Sequence, residues 1–212
     1  MYIQELWRYP VKSLAGEQLQ EVELTLHGML GDRVVHVRDA RGRVVTSRTK
    51  PHLLGLHGTW DAIHREPLID GHPWHWPAAA EAVRRAAGAS AYLVRHEGLE
   101  RFDVLPLLVA TDGAMAQLGV DHRRLRPNIV LAGVDGLAER QWPGHRLRLG
   151  EAIIEVAQVR GRCVMTTYDP DTQEQDLNIL RRLVEEFDGR MALDCAVIQS
   201  GRLTVGAPVA LL

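Results

Sequence analysis

The chain has 212 residues, 46% of them hydrophobic, enough to bury one good core or two small ones. Its formal net charge of −2 argues against a nucleic-acid binder, and no run reaches the roughly 18 consecutive apolar residues of a membrane-spanning helix. Two cysteines, Cys163 and Cys195, are too few for a disulfide framework or a cysteine-ligated iron–sulfur cluster. The opening MYIQELWRYPVKS lacks the apolar stretch of a signal peptide, so the expected setting is cytoplasmic.

The first sixty residues read as short strands at 2–7, 19–26, 33–37, 43–46 and 53–60, with Asp39–Gly42 as a turn. Residues 67–77, rich in Pro, Gly, His and Trp, read as a connector. A short helix is predicted over 78–87, stopped by Gly88, and a strand over 91–95. Thr111-Asp112-Gly113 can cap a helix running to Leu118. Residues 128–132 are short and apolar, 146–149 and 153–159 read as a hairpin, and 176–187 carries apolar residues at helical spacing. Strands at 196–198, 203–205 and 209–212 close the chain. The expected fold is a β-rich α+β chain with a boundary near residues 88–98.

The densest chemical signal is Arg160-Gly161-Arg162-Cys163, followed by Thr166-Thr167 and an Asp-Pro turn. A cysteine preceded by two nearby arginines sits in a field that favours the thiolate, a soft ligand suited to a transition metal. Cys195, among Leu193, Ala196 and Val197, reads as core. Arg126-Pro127-Asn128, with Arg123 and Arg124 upstream, places cations at a strand mouth, where an anion such as phosphate can bind. Asn128 offers amide groups suited to a heterocycle edge or to a turn. Lys12 and Ser13 follow a Pro-fixed turn, Arg33 follows Asp32, and Asp103 precedes Pro106. The histidines form no metal-binding spacing, and no P-loop, dinucleotide fingerprint, HExxH or GxSxG motif is present.

Taken together, these motifs resemble the MOSC-domain molybdoproteins that carry an N-terminal MOSC β-barrel, and among them the amidoxime-reducing branch and its bacterial counterparts. Tyr9-Pro10-Val11-Lys12-Ser13, Gly31-Asp32-Arg33 and Thr46-Ser47-Arg48 with Pro51 resemble the N-terminal barrel. Arg126-Pro127-Asn128, Trp142-Pro143-Gly144, Arg162-Cys163 with Thr166-Thr167, and Val205-Gly206-Ala207-Pro208-Val209 resemble the MOSC domain. The resemblance implies a barrel-like domain over 1–95 packed on a MOSC β-barrel domain over 96–212, with a molybdenum cofactor (Mo-molybdopterin) in the cleft between them. It implies Cys163 as the metal ligand, and Lys12, Ser13, Arg33, Arg126, Asn128, Arg162 and Cys163 as cofactor contacts. Asp103 matches an acid near the metal, and with Cys163 would form the catalytic pair. Gly161 stands where close relatives can have serine, and Ala207 replaces an aspartate of the closing strand.

The implied activity is a molybdenum-dependent oxidoreductase that cleaves the N–O bond of a small N-hydroxylated substrate. No nicotinamide, flavin or ferredoxin fingerprint is present, so a separate electron-transfer protein is the expected donor. The alternative is a cofactor-binding carrier or sulfur-transfer module without reductase turnover.

Overall fold

The computed structural model describes residues 1–212. Its largest element is an eight-stranded sheet, ordered Val209–Leu211, Arg146–Leu149, Ala152–Gly161, Arg190–Gln199, Leu107–Thr111, Ile129–Ala132, Tyr2–Arg8 and Glu17–Leu19. All neighbours are antiparallel except Leu107–Thr111 and Ile129–Ala132, which run parallel. A parallel pair needs a crossover, and a short helix, Asp112–Leu118, lies on it. Thr111 accepts the Ala114 N–H at its start, and Gly119, in the left-handed region at φ 68°, ends it. The sheet bends until its first strand meets the segment leading into its last: the Ile3 N–H donates to Ala207 O at 3.0 Å and the Val209 N–H to Met1 O at 3.0 Å.

The inner face of this sheet carries the main core, including Ile3, Leu6, Val109, Ile129, Leu131, Leu147, Ile154 and Leu193. The other face of Leu107–Thr111 presents Leu108 and Ala110 to a helical layer, where they pack with Leu118, Ile179, Leu183 and Phe187. All five residues of that strand are buried. A strand buried on both faces loses the apolar–polar alternation that marks a half-exposed one, so the sequence reading passed over it. The helix Leu177–Phe187 forms where helical spacing predicts it, with Asp176 accepting the Asn178 N–H at 2.9 Å.

A second core holds Val11, Leu14, Val35, Val37, Leu53, Ile69, Ala79, Val83 and Ala87. The strands Val35–Arg38, Val44–Val45 and Tyr92–Arg95 form one small sheet of this body. The helix Pro77–Ala87 covers it, with Pro77 in the first turn and Gly88 at its end. Two expectations change here. The strand expected over 53–60 is split: Pro51 starts a 3-10 turn, Pro51–Gly55, and only Gly58–Asp61 is extended. The connector expected over 67–77 includes a hairpin, in which Asp70 (φ 49°) and Gly71 (φ 80°) make the two-residue turn between Glu66–Ile69 and His72–Pro73. The Asp-Gly signal was present; its Pro- and Trp-rich surroundings masked it.

Sheet pairing crosses the sequence midpoint. Tyr2–Arg8 pairs with Ile129–Ala132, and Glu21–Thr25 pairs with Gly201–Thr204. These pairings fix the turns after the first strand against loops from the far half of the chain, and the cleft lies at that seam. No helix is long and apolar enough to cross a membrane.

Candidate functional site

The cleft has a volume of about 340 Å³. All eight residues singled out from the sequence line it: Lys12, Ser13, Arg33, Asp103, Arg126, Asn128, Arg162 and Cys163. Thr46, Arg48, Arg124 and Arg160 also line it, so seven cations face a single carboxylate, Asp103. Such a surplus in a confined space favours an anionic ligand.

Asp32 ties the floor together. It is fully buried, accepts the Tyr9 N–H at 2.7 Å and the Asn128 amide at 3.2 Å, and pairs with the Arg33 guanidinium. One carboxylate therefore joins three segments up to 96 positions apart. Asn128 is 1% exposed, and its remaining bonds run to the Leu108 N–H, Trp7 O and Arg33. Its amide is committed within the floor, where it orients Arg33. Two guanidinium groups lie over the Tyr9 ring, Arg126 at 4.2 Å and Arg33 at 5.0 Å from its centroid. Its hydroxyl donates to Pro127 O at 3.2 Å, and burial pushes its pKa up to about 12 against the pull of both arginines, so the phenol stays neutral. Three lining residues hold positive φ without being glycine: Ser13 at 76°, Arg33 at 54° and Arg126 at 58°. Each such backbone costs about 1–3 kcal/mol, and such strain clusters at ligand clamps.

Two of the arginines are left incomplete. A terminal nitrogen of Arg126 and Nε of Arg162 are buried with no hydrogen-bond partner. Burial lowers both guanidinium groups to about 10, Arg162 with a further push from Arg160, so both remain charged at neutral pH. Arg162 spends one terminal nitrogen on Leu125 O at 2.8 Å. An unpaired buried cationic N–H is costly, and two beside one cleft point to an anion that completes them.

The opposite wall is an ion-pair chain. Lys12 Nζ lies 2.6 Å from Asp103 Oδ1 and donates to Arg101 O at 2.8 Å. Arg160 reaches Asp103 at 3.6 Å and the fully buried Asp194 at 2.6 Å. Burial by itself raises the Asp103 carboxyl, but the Lys12 hydrogen bond and the charges of Lys12, Arg160 and Arg33 outweigh it and hold the group below its ordinary value. Asp103 is therefore ionised at neutral pH.

Cys163 sits where Ala152–Gly161 has ended and the 3-10 turn Val164–Thr167 begins. Its carbonyl accepts both the N–H and the hydroxyl of Thr166, at 3.1 and 2.9 Å, which fixes the residue at the cleft wall. The thiol is free and partly exposed. Cys195 is fully buried in the sheet, and burial pushes its thiol up, so it is core. Free thiol, orphaned guanidinium groups and cationic lining fit a group that joins an anion to a soft metal. No cluster of three or more His, Cys, Asp or Glu side chains competes for a metal elsewhere.

Sequence reasoning missed Tyr9, Asp32 and Arg101 as builders of the site. Arg101, 5% exposed, donates to four backbone carbonyls: Asp32, His27, Glu97 and Gly98. It also missed a second cavity of about 230 Å³, lined by Trp7, Tyr9, Leu54 and Tyr168, which shares Arg124, Arg126 and Met165 with the cleft. Tyr9 and Asp32 stand inside the two N-terminal motifs, but their roles in the site come from partners distant in sequence, as do the Arg101 bonds to Asp32 and His27.

Comparison with known proteins agrees with this layout. Residues 1–69 match the MOSC N-terminal beta barrel domain, and residues 108–210 match the MOSC domain. Human mitochondrial amidoxime reducing component 2 is 27% identical over 98% of this chain and 82% of its own length. Human mitochondrial amidoxime-reducing component 1 is 25% identical over 80% of this chain and 67% of its own. The YUAD protein of Bacillus subtilis shares the fold, with a TM-score of 0.55 at 13% identity over 99% of this chain and 94% of that one.

Proposed function

The chain belongs to the MOSC-domain proteins that carry a MOSC N-terminal beta barrel domain, and from that premise we propose that its cleft holds a molybdenum–pterin cofactor and reduces small N-hydroxylated compounds. The observation that carries this reading is the pair of incomplete buried arginines, Arg126 and Arg162, beside the free thiol of Cys163. The names of the relatives support the reaction class at 25–27% identity.

In this reading the Cys163 sulfur holds the metal. Lys12, Ser13, Arg33, Arg126 and Arg162 hold the cofactor's anionic and polar groups, while Asn128 contributes by fixing Arg33 and Asp32. When bound, the cofactor supplies two-electron oxygen-transfer chemistry at its metal. Reduction of an N–OH group consumes two electrons and two protons and yields an amidine or amine and water. Asp103 is the group that moves protons. Lys12 Nζ, 2.6 Å away, holds its carboxyl ionised, so it can take up a proton and pass it into the cleft. The electrons come from a separate protein.

The test is metal content by inductively coupled plasma mass spectrometry, on protein from a host that makes the cofactor, beside Cys163→Ala. Near-stoichiometric molybdenum in the parent, sharply reduced in the variant, is expected, together with reduction of benzamidoxime driven by reduced viologen dye. No molybdenum and no oxidised-pterin fluorescence would sink the reading. Bound molybdenum without turnover would instead make the chain a cofactor carrier or sulfur-transfer module.

A further inference from the structure

Residues 41–60 contain Arg41, Arg43, Arg48 and Lys50 and no carboxylate, in a chain with 27 acidic residues and a net charge of −2. All four cations are exposed. Arg43 pairs with Asp39 at 2.7 Å, but Arg41, Arg48 and Lys50 have no carboxylate within 4.0 Å. This segment forms one rim of the cleft: Thr46 and Arg48 line it, and the buried Ser47 hydroxyl donates to Met165 Sδ at 3.1 Å, pinning the rim to the loop that bears Cys163. The acid-rich loop that follows Cys163 does not neutralise it. Asp169 is bound to Arg124 at 2.7 Å, and Asp171 to Arg123 at 2.7 Å.

The cations inside the cleft are accounted for by its own anionic ligand. Arg41 and Lys50 lie outside the cleft lining, so that ligand does not explain them. An exposed run of charge of one sign repels itself and steers a partner of the other sign toward it. We propose that this rim docks an electron-transfer protein whose donor site is ringed by aspartate and glutamate. The proposal rests on the reductase reading above. Two one-electron transfers per N–O bond then enter beside Cys163, and the two protons enter by way of Asp103.

The probe is a plant-type ferredoxin, a small acidic one-electron carrier, and the variant is Arg41→Glu/Lys50→Glu, two exposed positions whose side chains make no hydrogen bond or ion pair. Binding of oxidised ferredoxin to the molybdenum-loaded protein is measured by calorimetry at about 50 mM and about 300 mM salt, spanning strong and weak screening. The expected result is binding at low salt that falls steeply with salt and weakens about tenfold or more in the variant, as charge reversal at a steered interface does. Turnover of benzamidoxime driven by reduced viologen is expected to be equal in both proteins. Equal ferredoxin affinity in parent and variant, or no binding by the parent, overturns the proposal. So does tighter binding of a single-stranded DNA oligomer than of ferredoxin, since the rim would then read any polyanion. Absent viologen-driven turnover counts against the reductase reading alone, because the binding measurement does not depend on it.

Discussion

Arg101 and Arg126 lie on neighbouring parts of the same seam and are treated in opposite ways. Arg101 places its guanidinium donors on four carbonyls of four different residues, so its burial is compensated by the protein itself. Arg126 is held at positive φ against the Tyr9 ring, with a buried nitrogen that bonds nothing. The first holds the wall; the second is left open for the ligand proposed above to complete. A buried guanidinium thus marks architecture or binding according to whether its acceptors belong to the chain.

That contrast can be broken by substitution. The largest effect is expected for Arg101→Ala, which leaves four carbonyls without their donor and should cost about 3 kcal/mol or more in urea unfolding. A loss below about 1 kcal/mol would make Arg101 dispensable and remove the distinction. Next is His36, 2% exposed with neither ring nitrogen bonded, whose pKa burial lowers from 6.5 to about 4, aided by the charge of Lys12. Below pH 6.5 the unfolded chain takes up a proton that the folded chain refuses until about pH 4, so stability is lost as pH falls through that window. His36→Leu should flatten the loss, by up to about 3 kcal/mol across the window. An unchanged acid limb in pH-dependent melting would show that the imidazole finds a partner.

A smaller effect, of opposite sign, is expected for Arg126→Met. Replacing an unsatisfied buried charge with an apolar chain of similar length should raise stability by about 1 kcal/mol while abolishing molybdenum retention. Destabilisation with the metal retained would place Arg126 in the same class as Arg101. The smallest effect concerns Glu139, buried at 1% exposure, whose carboxyl burial raises. The folded chain keeps this proton at a pH where the unfolded chain has released it, so stability declines as pH rises. Glu139→Gln should lessen the decline above the ordinary carboxylate range, seen as a small rise in Tm at the alkaline end.

The candidate site was legible as a set, and its construction was not. Read singly, Lys12, Ser13, Arg33, Asp103 and Asn128 carry no chemistry that a surface loop could not share. Their order along the chain, with Arg162-Cys163, is what reveals the family, and the fold then brings them into one cleft. What stays hidden is long-range. Asp32 gains its importance from Tyr9 and Asn128, and Arg101 from His27 and Asp32, contacts that no window of sequence contains. Even Asn128, which lines the cleft, has its amide already spent on Asp32, Trp7, Leu108 and Arg33. In the fold, the helices were readable from propensity, caps and periodicity, and most strands with one exposed face from alternation. Leu107–Thr111 was not, since a strand buried on both sides offers no period to read.

The pairing that crosses the sequence midpoint has a consequence for the order of events in the cell. The strand Tyr2–Arg8 finds its Ile129–Ala132 partner only after most of the chain has been made, and Glu21–Thr25 waits for Gly201–Thr204. Contacts of such separation form slowly and late. The pocket is therefore closed late, and whatever fills it is received by a chain whose two halves have already met rather than by a short nascent stretch.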